Sequence, residues 1–282
     1  MEFVTLNNGV KMPVLGFGVY QIAPEETERC VLEAIKAGYR SIDTAWAYFN
    51  EEGVGAAINK GGVPREELFI TSKIWVLDGG YEKAKAAIAE SLRKLQTDYL
   101  DLMLIHQPFN DFYGTWRAMT EAYKDGKIRA IGLANFPPDR IVDFCKFNEV
   151  IPAVNQIETH VFQQQTAARP TLDKYGIQIE SWGPFAEGKN GLVSNPILKI
   201  IGAKHDRTVA QIALRFLIQS GVVVIPKSTH KERMIENISV FDFYLDEDDM
   251  NAIRMLDGGK TLFEDIRLPE VAAIMTADGP EE

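Results

Sequence analysis

Three short apolar runs end in ionisable side chains: Ser41-Ile42-Asp43, Leu68 to Lys73, and Leu100 to His106. Tyr48 follows Asp43 by five residues. Taken singly, each has an ordinary reading. Asp43 could cap a helix, Lys73 could sit solvated in a loop, His106 could be a buried structural histidine, and Tyr48 could be packing. Together, at the ends of successive strands, they suit proton transfer. Hydride attack on a carbonyl builds negative charge on oxygen, and a donor must protonate or stabilise it. A free tyrosine titrates at about 10 and is a poor acid at neutral pH. A neighbouring ammonium favours the phenolate and lowers that value. This predicts Tyr48 as general acid, Lys73 as its modulator, Asp43 as the anchor of Lys73, and His106 as the group that orients the substrate carbonyl.

These residues need a frame that brings strand ends together. Eight apolar runs are present: Leu15 to Tyr20, Ser41 to Asp43, Leu68 to Lys73, Leu100 to His106, Ile128 to Leu133, Ala153 to Ile157, Ile177 to Trp182 and Val222 to Ile225. Helical stretches alternate with them, among them Glu25 to Ala37, Tyr81 to Leu95, Thr115 to Lys124, Pro138 to Phe147 and Val209 to Gln219. Those runs that lack clean polar alternation indicate strands covered on both faces. The pattern predicts an α/β fold, a (β/α)8 TIM barrel with chemistry at the C-terminal strand ends. A doubly wound sheet is the alternative, but Gly16-Phe17-Gly18 lacks a third glycine opening a helix. Asn8-Gly9 predicts a two-residue turn in a hairpin over 3–13, closing the barrel bottom. The expected organisation is one domain over 1–282, with a C-terminal substrate loop and tail over 258–282.

A formal charge of −10, from 30 basic and 40 acidic residues, speaks against nucleic-acid affinity and an anionic membrane surface. No leader-like or membrane-spanning stretch is evident, so a cytoplasmic protein is expected. Cys30 and Cys145 and the four scattered histidines, His106, His160, His205 and His230, have no metal-ligand spacing. No metal is expected. No G-x-S-x-G supports a serine nucleophile. After the eighth run, Pro226-Lys227-Ser228-Thr229 leads into a helix whose N-terminus would favour an anion, capped by Ser228 or Thr229. Arg233, Glu236 and Asn237 share one face of that helix.

The segments Ser41 to Tyr48, Thr71 to Trp75 and Asp98 to His106, with Gly126 to Gly132 and Ile225 to Ser228, resemble the aldo-keto reductase superfamily, from about residue 3 to about 268. The likeness is greatest to bacterial reductases of the 2,5-diketo-D-gluconate and methylglyoxal kind. It implies NADPH/NADP+ as cofactor, a small-molecule carbonyl as substrate, and a monomer. Carried over residue by residue, it implies that Lys227, Ser228 and Arg233 hold the 2′-phosphate, with Thr229 beside them among the cofactor-binding residues. Glu236 and Asn237 would meet the adenine end, Asn135 and Gln156 the carboxamide, and Trp182 the nicotinamide ring. Trp46, Trp75, His106 and Phe109 would line the substrate pocket, with Leu262 to Pro269 as its last loop. Ala134 stands where the family has serine, so one carboxamide contact is expected to be weaker or replaced. Gln107 stands where many relatives have tryptophan, which predicts a more polar wall. Two other readings stay open: an NADPH-binding redox sensor with little turnover, and an aldolase using Lys73 as Schiff base.

Overall fold

The computed structural model describes residues 2–277. The hairpin comes first, β1 (Phe3–Thr5) against β2 (Lys11–Pro13), with Val4 opposite Met12. Its loop is longer than expected. Leu6 N–H donates to Val10 O, Gly9 N–H donates to Leu6 O, and Gly9 lies at φ +86°. Three residues, Asn7-Asn8-Gly9, therefore make the connection, a turn closed by a left-handed glycine. Asn8 is not in the left-handed region that a two-residue Asn-Gly turn requires.

All eight predicted runs form strands. They are β3 (Phe17–Gly18), β4 (Ser41–Asp43), β5 (Phe69–Ile74), β6 (Leu102–Ile105), β7 (Ile131–Ala134), β8 (Val154–Glu158), β9 (Gln178–Trp182) and β10 (Val223–Val224). All pair in parallel, each with its neighbour in chain order. A doubly wound sheet would reverse that order at a switch point. Instead the ends meet: Gly16 N–H donates to Val224 O at 2.8 Å, and Val224 N–H donates to Val14 O at 3.0 Å. The sheet is a closed barrel.

Alternation then decides what each strand turns inward. Ile42, Met103, Ile105, Ile131, Leu133 and Ile179 face the helices, in one apolar cluster with Val31, Ile88, Met119 and Ile212. Phe69, Leu102, Leu104, Ala130, Val154 and Val223 turn inward and pack on Leu6 and Met12 of the hairpin. The hairpin thus plugs the N-terminal end, tied by Asn7 to Pro152 O and by Asn8 to Arg129 O. The barrel interior is apolar below and polar above.

Five helices agree with the sequence to within about one turn: Pro24–Ala37, Tyr81–Lys94, Phe112–Lys124, Pro138–Phe147 and Val209–Gln219. The helix Glu51–Lys60 was not expected, because Gly53 and Gly55 weaken its propensity. Gly55 is needed there: a Cβ would lie 2.4 Å from Lys94 O. The stretch Glu187–Gly191 is a loop of non-helical backbone. Among the described residues, no helix is long and apolar enough to cross a membrane.

Candidate active site

Asp43 is the last residue of β4, Lys73 lies near the end of β5, and His106 immediately follows β6. Inward parity at neighbouring strand ends makes them converge. Tyr48 arrives on the 3-10 turn Trp46–Tyr48 that follows β4.

Lys73 is fully buried, and its three N–H bonds have three acceptors. Asp43 Oδ1 lies at 2.5 Å, Thr44 O at 2.9 Å and the Tyr48 hydroxyl at 3.5 Å. Burial alone would lower the lysine, but Asp43 and Tyr48 more than offset it, so the ammonium titrates above its usual value. For Tyr48 the balance goes the other way. Burial pushes the phenol up to about 12, and Lys73 only partly offsets this. Lys73 acts in the expected sense, but the expected net lowering does not occur.

His106 packs edge-on against Tyr48 and Trp75, at centroid distances of 5.7 and 5.0 Å. Its Nδ1 is buried without a partner. Burial, and then the charge of Lys73, hold its titration well below the ordinary histidine value, so the ring is neutral near pH 7. Tyr20, half exposed, covers the other side of Tyr48 at 4.9 Å. Gln107, next in the chain to His106, is also buried and has an unpartnered Oε1.

The sequence missed one member of the cluster. Glu180 lies mid-β9, opposite Gln156 of β8 and fully buried. The Gln156 Nε2 group donates to Asp43 Oδ2 at 2.9 Å and to Glu180 Oε2 at 2.8 Å. Inward parity with Trp182, two residues on, was the signal that could have revealed Glu180. Burial, then the charge of Asp43, raise its carboxyl to about 8.

Beyond β7, Asn135 takes a left-handed backbone at φ +65°. It donates to His106 O at 3.1 Å and accepts from the Trp182 indole N–H at 2.8 Å. Ala134 is buried in the barrel interior beside Gln156 in register, with no hydroxyl to offer. The C-terminal segment packs against this rim. Glu158 accepts from Leu262 N–H and the Thr261 hydroxyl, and Phe263 packs edge-on at 5.0 Å from Trp182. Part of that segment, Pro269–Thr276, is helix rather than loop. Residues 278–282 of the expected tail lie outside the described residues. Among the described residues, the Trp46 ring has the Phe49 ring at 5.7 Å and Lys94 Nζ at 5.8 Å. Phe109 is partly buried on the loop after β6, without an aromatic partner among the described residues.

After β10, the helix Lys231–Ile238 starts at His230, not at Ser228 or Thr229. The Ser228 hydroxyl accepts from His230 N–H at 3.1 Å, so it shapes the turn and caps no helical N–H. Thr229 is partly buried beside it. Lys227 and Arg233 are exposed, and neither is ion-paired among the described residues. Open N–H groups at a helix start beside two free cations suit a dianion. Glu236, partly buried, accepts from the Thr208 hydroxyl at 2.7 Å, and Asn237 is buried next to it.

A family model described as the aldo/keto reductase family matches residues 14–257. The chain belongs to the aldo/keto reductase family. Among its aldo/keto reductase relatives, a glyoxal reductase of Bacillus subtilis is 50% identical over 91% of this chain and 93% of that protein. The methylglyoxal reductase DkgA of Escherichia coli is 42% identical over 93% and 96%. A solved aldo-keto reductase of Bombyx mori, in complex with NADP, superposes with a TM-score of 0.89 at 33% identity, covering 94% of this chain and 96% of that one. The closed barrel described above agrees with these aldo/keto reductase neighbours.

Proposed function

We propose that this chain reduces small aldehydes and ketones to alcohols with NADPH, with Tyr48 as the proton donor. The observation that carries the reading is the position of Lys73 Nζ, 2.5 Å from Asp43 and 3.5 Å from the Tyr48 hydroxyl, with the His106 ring against Tyr48. When bound, NADPH supplies the hydride to the carbonyl carbon. As charge develops on the carbonyl oxygen, Tyr48 gives it the phenolic proton. A phenol titrating at about 12 stays loaded at pH 7, yet an alkoxide is a stronger base than a phenolate and takes that proton. Lys73, held charged by Asp43, then stabilises the phenolate until solvent restores its proton. Neutral His106 offers a hydrogen bond to the carbonyl oxygen and aims it, without competing as an acid.

The residues present fit the cofactor. Lys227 and Arg233, unpaired beside an open helix start, would take the 2′-phosphate, with Ser228 and Thr229 shaping the turn. Glu236 and Asn237 would face the adenine end. Gln156 has both N–H bonds on carboxyl groups, so it would offer only Oε1 to the carboxamide. Asn135, braced by Trp182, would offer its remaining N–H, while Ala134 would offer no side-chain contact. Trp182 would cover the ring. Trp75, His106 and Gln107 would line the substrate side; Trp46 and Phe109 would contribute only from its edge. The buried, unpartnered Gln107 Oε1 and the glyoxal- and methylglyoxal-reducing relatives favour short, polar dicarbonyls. Loss of NADPH absorbance with glyoxal, and a much slower loss with NADH, tests the reading. No consumption with glyoxal, methylglyoxal or simple aldehydes would reject it.

A further inference from the structure

Two carboxyl groups, Asp43 and Glu180, share the polar upper layer of the barrel with the Lys73 cation. Asp43, Lys73 and Glu180 are each at most 2% exposed, so their charges interact without effective solvent screening. Asp43 uses one oxygen on Lys73 and the other on Gln156. Glu180 touches only Gln156, and its Oε1 is buried without a partner. On its β10 side the register partner is Val223, which offers no polar group. The charged groups acting on Glu180 are therefore Asp43 from β4 and Lys73 from β5, and the lysine is already matched to Asp43. A second buried anion without its own cation is strongly disfavoured.

We propose that Glu180 is a positioning residue for the Tyr48 centre: un-ionised, it steers Gln156 onto Asp43, and once ionised it adds a second negative charge that holds the Tyr48 proton in place. This rests on the proposed reductase reading. Glu180 acts on Lys73, and its negative charge offsets the field by which Lys73 favours the Tyr48 phenolate, so proton donation becomes harder as Glu180 ionises. The carboxyl titrates at about 8, which puts the change in a measurable window.

The test is kcat against pH, from 6.5 to 9.5, with saturating NADPH and glyoxal, in wild type and Glu180→Gln. Glutamine keeps the shape and an acceptor for Gln156 but cannot ionise. Wild-type kcat should fall on the alkaline side with a midpoint near 8. The variant should lack that limb, so the ratio of variant to wild-type kcat should rise about tenfold between pH 7 and pH 9. A residue that only fills space would leave that ratio constant, and superimposable profiles would overturn the proposal. If the variant fails to fold, the wild type alone decides: a limb near 8 supports the proposal and a flat kcat refutes it. Melting temperature gives a readout independent of turnover. The folded value of Glu180 lies above the ordinary carboxylate value, so its contribution to stability is complete below about 4.3 and is lost as pH rises from there to about 8. The melting temperature of wild type should therefore fall relative to the variant over that range. A widening gap without turnover would reject the reductase reading yet support ionisation of Glu180, whereas turnover with a constant gap and superimposable profiles would reject only the role of Glu180.

Discussion

Replacing Lys73 with methionine removes the cation 3.5 Å from the Tyr48 hydroxyl while keeping most of the side-chain volume. At an effective dielectric of about 20, a unit charge pair at that distance is worth about 5 kcal/mol. That corresponds to roughly 3.5 pH units in the proton affinity of Tyr48. If about half to all of this difference is felt in the transition state, kcat falls by about 50- to 3000-fold. The substitution also leaves Asp43 buried without its cation, which costs roughly 3–5 kcal/mol of stability. The double variant Asp43→Asn/Lys73→Met removes both charges and separates the two effects. The assay is kcat for glyoxal at pH 7 under saturating NADPH, with melting temperature and NADPH quenching of tryptophan fluorescence measured in parallel. Both variants should lose turnover to a similar degree, and the double variant should recover part of the melting temperature. A folded double variant whose kcat stays within about fivefold of wild type, a difference near 1 kcal/mol, would refute the role given to Lys73.

Two further outcomes follow. Lys227→Ala with Arg233→Ala should raise the KM for NADPH by about 10- to 100-fold, as expected for one or two lost charge-assisted hydrogen bonds, and leave that for NADH nearly unchanged; an equal change for both cofactors would contradict the phosphate assignment. Gly55→Ala should push a methyl into Lys94 O, costing about 1–3 kcal/mol, and calorimetry should show a clear drop in melting temperature, while an unchanged value would mean that the two helices move apart freely.

The barrel was legible because strands covered on both faces read as short apolar runs, and all eight did so. The chemistry was legible for a related reason: Asp43, Lys73 and His106 interrupt those runs where strands end, the face on which barrel enzymes collect their catalytic groups. What escaped depended on tertiary environment. Glu51–Lys60 hides behind two glycines whose value lies in a close helix crossing, not in propensity. Asn8-Gly9 names a turn, but the choice between two and three loop residues rests on how Leu6 and Val10 pair. Ser228 precedes a helix without capping it, because its hydroxyl is taken by the turn at His230. The direction of the Tyr48 shift required knowing that burial outweighs the lysine. Glu180 sits inside an apolar run and not at its end, so only its parity with Trp182 marked it as inward-facing. Gln156 was assigned to the cofactor, and its bridge between two carboxyl groups could be seen only once strands β4, β8 and β9 were brought together.

The central claim is that the Tyr48 proton completes carbonyl reduction. Tyr48→Phe keeps the ring against His106 and Tyr20 and deletes only the hydroxyl. Turnover of glyoxal by this variant, measured by NADPH absorbance with NADPH affinity checked by fluorescence quenching, tests it most directly. The account predicts that kcat falls by at least about 10²-fold, the usual worth of a positioned general acid, with affinity within about twofold of wild type. Turnover at the wild-type rate would contradict it.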